Sequence, residues 1–468
     1  MKAQYNQVEK YIITAKCETP LHIGSAVGDK SEVLTHPVEN VPFIQATSLA
    51  GVFRDYYQHT YGESHTEKIF GRLQKNQQED QQKDRKEDQQ EELTGSKIRF
   101  SDGIFLDSEK LVMELRPRVK INAETGTVAA EKVSGTDQQS GQKFEIEYVA
   151  AGAEFRFTVY LYDNGEEDGN FKTCLANIQQ SNLQFGGQKS NGCGYISIEK
   201  ALYKKFDLTK EEDRNKWFKE DCLKENEYEP IKVEANTNTS FAYNIKITAK
   251  TDGELLVKGI AVTDLSDNAP DEMNIQNGAG EYIIPASSLK GVIRSRMEMI
   301  ASYKGIKKEV IECIFGKAPN IRKKQKGIKG IISFRDTVIG EKETNDEAAN
   351  RIRIRIDKFT GGVMNTGLFN QKYASGNLTM DIRISKDEKN PYANIACGLL
   401  VLALRDMANG QVTVGSGYSI GKGFIDIKEI QITDKDDKIC TISFANKKIE
   451  GEDILNTCFN ALKEEIKK

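Results

Sequence analysis

Histidine is scarce in this chain: the four in 468 residues are His22, His36, His59 and His65, so everything after residue 65 lacks one. Histidine zinc sites and imidazole acid–base chemistry are therefore excluded from more than the last three quarters of the sequence. Cysteine is present eight times, as Cys17, Cys174, Cys193, Cys222, Cys313, Cys397, Cys440 and Cys458, but never in Cys-x-x-Cys spacing. That scatter excludes a thiolate metal knuckle and a disulfide framework. With no signal-peptide pattern at the start, it leads us to expect a reduced, cytoplasmic setting. No apolar run approaches the ~18 residues that span a bilayer, so no membrane partner is expected. Positive charge is not in excess either, since the formal net charge is −4. Coating nucleic acid by bulk charge is thereby excluded, and any polyanion site must be a local basic groove.

What the sequence does have is an internal echo. Phe43-Ile-Gln-Ala-Thr-Ser-Leu-Ala-Gly-Val-Phe-Arg54 is matched by Ile283-Ile-Pro-Ala-Ser-Ser-Leu-Lys-Gly-Val-Ile-Arg294. Ile69-Phe-Gly71 answers Ile314-Phe-Gly316, and Phe100-Ser-Asp102 answers Phe334-Arg-Asp336. Arg118–Gly126 pairs with Arg353–Gly361, and each unit closes on a glycine-rich turn, Gly186–Ile198 and Gly415–Ile427. Fragments repeated in a fixed order mean a duplicated domain. The boundaries expected are a first domain over 1–203 with a low-complexity insertion at 74–95, a connector over 204–238, a second domain over 239–433, and a C-terminal extension over 434–468. The insertion is almost entirely Gln, Lys, Glu, Asp and Arg and cannot bury a core.

Residues 9–17 and 243–250 alternate as strands. A serine N-cap at Ser48 or Ser288 then starts a helix with Leu49, Val52 and Phe53, or Leu289, Val292 and Ile293, at helical spacing. Strand patterns follow at 97–105, 116–122 and 144–162, and at 329–338, 351–356 and 378–384; helices are expected at 171–183 and 394–409. The order β-α-β-β-α-β predicts an α+β fold of two tandem ferredoxin-like domains, the scaffold of RNA-recognition modules. Residues 452–466 read as an amphipathic terminal helix.

Three constellations point to a polyanion. The start of a helix offers free N–H groups to an anion, and Lys290 and Arg294 lie four residues apart on one face; the first half retains only Arg54. An ordinary capped helix with solvated basic residues would look the same. The glycines at Gly186, Gly187, Gly415 and Gly417, with Lys422 beside them, would let a polyanion reach the main chain. Arg351, Arg353 and Arg355 alternate with Ile352, Ile354 and Ile356, which places the guanidinium groups on one face and predicts that the isoleucines face a core. For catalysis the loops before the helices carry Asp29 in the first half and Asp264, Asp267 and Asp271 in the second. A loop aspartate can hold a divalent cation or orient a 2′-hydroxyl; it can equally be a turn residue or a helix cap.

Taken together, Gly280-Glu-Tyr-Ile-Ile-Pro-Ala-Ser-Ser-Leu-Lys-Gly291, Ile356-Asp-Lys-Phe-Thr-Gly-Gly362 and the Gly415–Gly423 turn resemble the RAMP superfamily of CRISPR proteins. The closer resemblance is to the crRNA-binding backbone subunit of type III effector complexes, here as a tandem fusion over roughly 9–202 and 240–430. The resemblance implies that the helix starts (Ser48, Ser288) and glycine-rich turns grip a guide crRNA. It also implies thumb hairpins near Thr125–Val133 and Thr360–Phe369 that wedge into the guide–target duplex. Asp271 and Asp29 would then support cleavage of complementary target RNA, with Asp271 holding a divalent ion, expected to be Mg2+, and other type III effector subunits as partners. Two further readings stay open: a structural subunit whose aspartates do nothing, and a pre-crRNA processing endonuclease using His22 or His36. A tandem nucleotide cyclase would need a Gly-Gly-Asp-Asp motif, which the sequence lacks.

Overall fold

The computed structural model describes residues 5–24, 31–72, 95–122, 128, 130–132, 139–141, 143–164, 169–181, 183–220, 223–234, 241–260, 270–319, 325–340, 350–387 and 390–467. Asp29, Asp264, Asp267, Gly126 and the low-complexity insertion lie outside them.

Each half is built around its opening strand. Gln7–Cys17 runs antiparallel to Glu154–Asp163 on one side and Ile196–Asp207 on the other, and Ile98–Phe100 pairs with the outer edge of 154–163. In the second half Phe241–Asp252 lies between Asn377–Ser385 and Phe424–Asp434, with Ile332–Phe334 on the outer edge. The strand order is the same, every neighbour is antiparallel, and a register shift falls at the same place, Thr14/Ala15 and Thr248/Ala249. These are two ferredoxin-like sheets, as the repeat predicts.

Helices cover one face of each sheet because the strands alternate. Tyr11, Ile13, Ala15 and Cys17 point into a core closed by α1 (Ala46–Tyr61), α2 (Glu63–Phe70) and α3 (Asn170–Ala176). A short acidic helix, α4 (Glu211–Phe218), follows the last strand of the first half. In the second half Ile245, Ile247 and Ala249 meet α5 (Ala286–Tyr303), α6 (Lys308–Phe315) and α7 (Ala393–Ala408). The terminal helix α8 (Asp453–Ile466) buries Ile454, Leu455, Cys458 and Leu462 into the same core. At ~1.5–3 kcal/mol for each fully buried large apolar side chain, either core is ample to hold its own half.

Three expectations need correction. The run 144–162 is two strands, Lys143–Val149 and Glu154–Asp163, because Gly152 at φ +91 turns the chain between them. The helix expected over 171–183 stops at Ala176 and continues only as a tight turn. The third concerns Ile352, Ile354 and Ile356, which face solvent, at 55–69 % exposure. Their strand, Asn350–Ile356, pairs with Val363–Lys372 in a ribbon separate from the domain sheet, joined at its base by Glu272–Met273. Among the described residues no layer covers the ribbon, so strand alternation does not send one side to a core. Its tip, Asp357–Gly362, leaves Phe359 98 % exposed. The matching ribbon of the first half, Met113–Val119 with Lys143–Val149, likewise exposes Met113, Leu115, Val119 and Phe144. Of the first expected thumb, only Val128 and Ala130–Lys132 are described.

Candidate nucleic-acid interface

The helix starts are capped from a distance. Helix α1 begins after Gln45 and α5 after Pro285, neither with a side-chain cap, so Ser48 and Ser288 are each the third helical residue rather than the N-cap. The missing acceptor comes from the Phe-x-Asp repeat. Ala46 N–H donates to Asp102 Oδ1 at 2.7 Å, and Ala286 N–H donates to Asp336 Oδ1 at 2.8 Å. A carboxylate therefore already sits on each positive helix end. The capping aspartate is the functional element that local cap grammar misses, although its duplication was visible.

Arg54 on α1 donates to the Phe70 and Gly71 carbonyls at 3.2 and 2.9 Å and so ties α1 to the end of α2. Arg294, its counterpart on α5, pairs with Glu298 at 2.8 Å and lies 5.5 Å from the Phe315 ring centre. Lys290 is different: its ammonium donates to Ser190 Oγ of the first half at 2.7 Å, not to a carboxylate. Burial, then Arg294 and Arg118, push its pKa down to about 8. Lys189, also in the turn of the first half, is pushed down by burial and by Lys329. Arg118 donates to Gln188 Oε1 and to the Tyr148 hydroxyl. The two halves thus meet along a cationic seam.

That seam is formed head to tail. The turn Lys189–Asn191 of the first half packs on the start of α5, and Gly192, at φ +71, lies so close to the Phe334 carbonyl that a Cβ would stand 2.0 Å from it. Arg116, 6 % exposed in its side chain, bridges Glu114 and, at 2.6 Å, Asp336 of the second half; Glu114 also accepts the Gly278 N–H at 2.7 Å. On the sheet side, Arg335 and Arg383 stack over Tyr195 at 4.7 and 5.6 Å.

The glycine-rich turns repeat in detail. Gly187 N–H donates to the His22 carbonyl and Ser416 N–H to the Leu256 carbonyl, both at 2.8 Å. The turn in each half is therefore pinned to the bend after the opening strand. Gly415, at φ +84, would place a Cβ 2.4 Å from the Leu256 oxygen, and Gly186, at φ +71, would place one 2.2 Å from the His22 oxygen. Substituting alanine for Gly415 should cost roughly 1–3 kcal/mol in urea unfolding, because strain and collision add. At Gly421, equally left-handed but with nothing within 4 Å of a Cβ, alanine should cost only about 1 kcal/mol. Gly417 begins the tight turn Tyr418–Ile420, and Lys422 beyond it pairs with Glu254 and lies 5.0 Å from the Tyr373 ring centre.

The ribbon arginines share that neighbourhood. Arg351 pairs with Glu254 at 2.7 Å, Arg353 donates to the Tyr373 hydroxyl at 2.5 Å, and Arg355 lies over Phe369 at 5.9 Å. The Arg353–Tyr373 bond repeats Arg118–Tyr148, so each ribbon is anchored in the same way. Asp271, exposed at the foot of the second ribbon, accepts the Asn370 N–H at 2.7 Å through Oδ2; among the described residues Oδ1 takes no hydrogen bond. Its neighbour Glu272 is held by Lys258 and Gln371. No group of three or more His, Cys, Asp or Glu side chains converges among the described residues. The described residues thus supply no complete cage, but one free carboxylate oxygen suits an ion such as Mg2+, which takes its other ligands from phosphate and water. His22 is buried with Nδ1 2.8 Å from the Glu147 carbonyl, and His36 Nδ1 accepts the Glu39 N–H. Among the described residues no helix is long and apolar enough to cross a membrane.

Duplicated antiparallel ferredoxin-like units, each with a glycine-rich turn pinned to the bend after its opening strand and a protruding ribbon, define the class. The chain belongs to the RAMP superfamily, whose family model matches residues 14–197 and again 248–426. No curated protein matches it. Among solved structures it is similar to a chain of the type III-B Cmr-beta complex bound to cognate target RNA, at 16 % identity and a TM-score of 0.30. That match covers 42 % of this chain and 61 % of the other.

Proposed function

We propose that this chain is a crRNA-binding backbone subunit of a type III CRISPR effector complex that cleaves complementary target RNA. The observation that carries the reading is the seam: where two RAMP units stack head to tail, the half-buried Lys290 lies beside Arg294 and Arg118 with a serine hydroxyl as its bonded partner, and Lys189 stands near Lys329. Cations that depress one another call for an anion, and a row of stacked units presents that call at regular intervals. A phosphate backbone meets it without reading sequence, leaving specificity to base pairing. The exposed ribbon tips, Phe359 above all, are suited to wedge between base pairs. Asp271 lies at the foot of one ribbon, where a divalent ion held by its free oxygen would neutralise charge at the scissile phosphate. Asp29 is the corresponding candidate in the first half. Other effector subunits are the expected partners at the two open ends.

Replacing Lys290 and Arg294 together by alanine should weaken guide binding irrespective of guide sequence. The slope of log affinity against log salt should fall by about 0.7 per lost phosphate contact. Filter binding with two unrelated guides across a salt series measures both quantities; unchanged affinity and slope would place the guide elsewhere.

A further inference from the structure

The sheet of the first half has a second face, opposite its helices, and the side chains there form a lattice. Across its three central strands the rows read Tyr162, Val8, Phe206; Tyr160, Lys10, Lys204; Thr158, Ile12, Leu202; and Arg156, Thr14, Lys200. Aromatic rings and cations thus stand side by side on the face turned away from the helices. In the second half the rows that match the Lys10, Ile12 and Thr14 rows hold Arg383, Asn244, Thr433; Asp381, Lys246, Gln431; and Thr379, Thr248, Glu429, with no ring among them.

The connector does not run free past this face; it folds across it. Trp217 packs edge-on against Tyr160 and Phe206, at 5.8 and 5.3 Å. Glu220 pairs with Lys10 at 2.9 Å and accepts from the Tyr160 hydroxyl, leaving Lys10 only 6 % exposed. Glu225 pairs with Arg156 and Lys200, Glu227 with Lys204, and Tyr228 lies beside Lys10 and Lys204 at 5.9 and 5.6 Å. Glu229–Pro230 then pairs with the edge strand. After the last strand of the second half the chain instead extends the sheet edge through Ile439–Ser443 and Lys448–Glu450, and α8 joins the helical side, so among the described residues no connector crosses that face.

We propose that residues 211–220 and 223–230 form a strap that occupies a single-stranded RNA site on the first sheet, and that RNA binds there when the strap is displaced. The strap lays two rings, Trp217 and Tyr228, and between them three carboxylates, Glu220, Glu225 and Glu227, on the sheet, so it supplies both the stacking surface and the negative charge that a single strand would bring. Beneath it lie what a single strand requires, stacking rings and a basic track. Three strap carboxylates meet four cations of the sheet, Lys10, Arg156, Lys200 and Lys204, so the cover is complementary in charge. This face is on the opposite side of the sheet from α1, and its test does not depend on the seam.

Trp217 is the only tryptophan of the chain and lies in the strap, so its emission reports strap position. The full chain is titrated with fluorescein-labelled decauridylate while anisotropy and tryptophan emission are followed. Glu220→Gln, Glu225→Gln and Glu227→Gln combined should tighten binding about tenfold, comparable to one additional stacked base. Trp217 emission should move to the red in step with anisotropy. Adding Arg156→Gln, Lys200→Gln and Lys204→Gln should remove the gain. An equal gain from neutralising Asp436, Glu450 and Glu464 in the C-terminal extension would overturn the proposal, as would tightening with no change in Trp217 emission. Should the triple variant fail to fold, Glu225→Gln alone, on the exposed rim, should give a smaller gain in the same direction; no gain there would also overturn it.

Discussion

Asp271→Ala should abolish one product of target cleavage while assembly and target affinity stay close to those of the unaltered chain. Among the described residues Asp271 accepts one hydrogen bond, from Asn370 N–H at 2.7 Å, and it is exposed, so its loss costs the fold about 1 kcal/mol. If that bond is all it does, the ribbon base loosens slightly and the product ladder is unchanged. If its free oxygen supports a divalent ion at the scissile phosphate, the missing carboxylate removes cleavage at that one position, and chelator has the same effect on unaltered complex. Asp29→Ala should remove a different product. The assay is a labelled complementary RNA, resolved at single-nucleotide spacing, with assembled complex. Asp271→Asn sharpens it, because the amide keeps an acceptor for Asn370 but not the charge. An unchanged ladder from Asp271→Ala would leave a structural backbone as the better reading.

The second large effect concerns the joint between the halves. Asp336 caps α5 and also receives Arg116, whereas Asp102 caps α1 and, among the described residues, pairs with no cation. Asp102→Ala should therefore cost what a lost cap costs, about 1 kcal/mol. Asp336→Ala should cost ~3–5 kcal/mol, because it also strands a buried guanidinium whose remaining partner is Glu114. Arg116→Ala should be comparably damaging, since it leaves two carboxylates facing each other across the joint. Urea unfolding of the variants measures the difference. Combining Arg116→Met with Glu114→Gln and Asp336→Asn should recover most of it, as removing a whole buried ionic cluster is far milder than breaking one. Equal costs for Asp102→Ala and Asp336→Ala would mean that the joint carries no strain when broken.

These two sites also mark where reading the sequence succeeds and fails. The duplication, the strand order, the two helix positions and the glycine turns follow from short-range pattern, because alternation and left-handed turns are written within a few residues. Distant pairings left no such trace. Asp102 and Asp336 cap helices that begin some fifty residues earlier, so Ser48 and Ser288 took the expected role instead. Ile352, Ile354 and Ile356 have the alternation of a core strand, but periodicity reveals two faces without saying whether anything covers them. The segment 204–238 has the composition of a solvated connector, and only the fold brings its carboxylates onto Lys10, Arg156, Lys200 and Lys204. Lys290 reads as a free groove residue because its desolvation comes from the other half.

The head-to-tail joint is made within one polypeptide, and that changes what it must achieve. Two separate chains holding a half-buried lysine against a serine hydroxyl would have to overcome the entropy of association with contacts that are largely polar. A covalent tether instead holds the partners at an effective concentration in the millimolar range, so even a weak contact stays occupied. The seam can therefore keep cations that a self-sufficient interface would have to neutralise. Its charge is left for a third party, and stoichiometry follows: any assembly this chain enters gains its units in pairs, with one junction in each pair that dilution cannot dissociate.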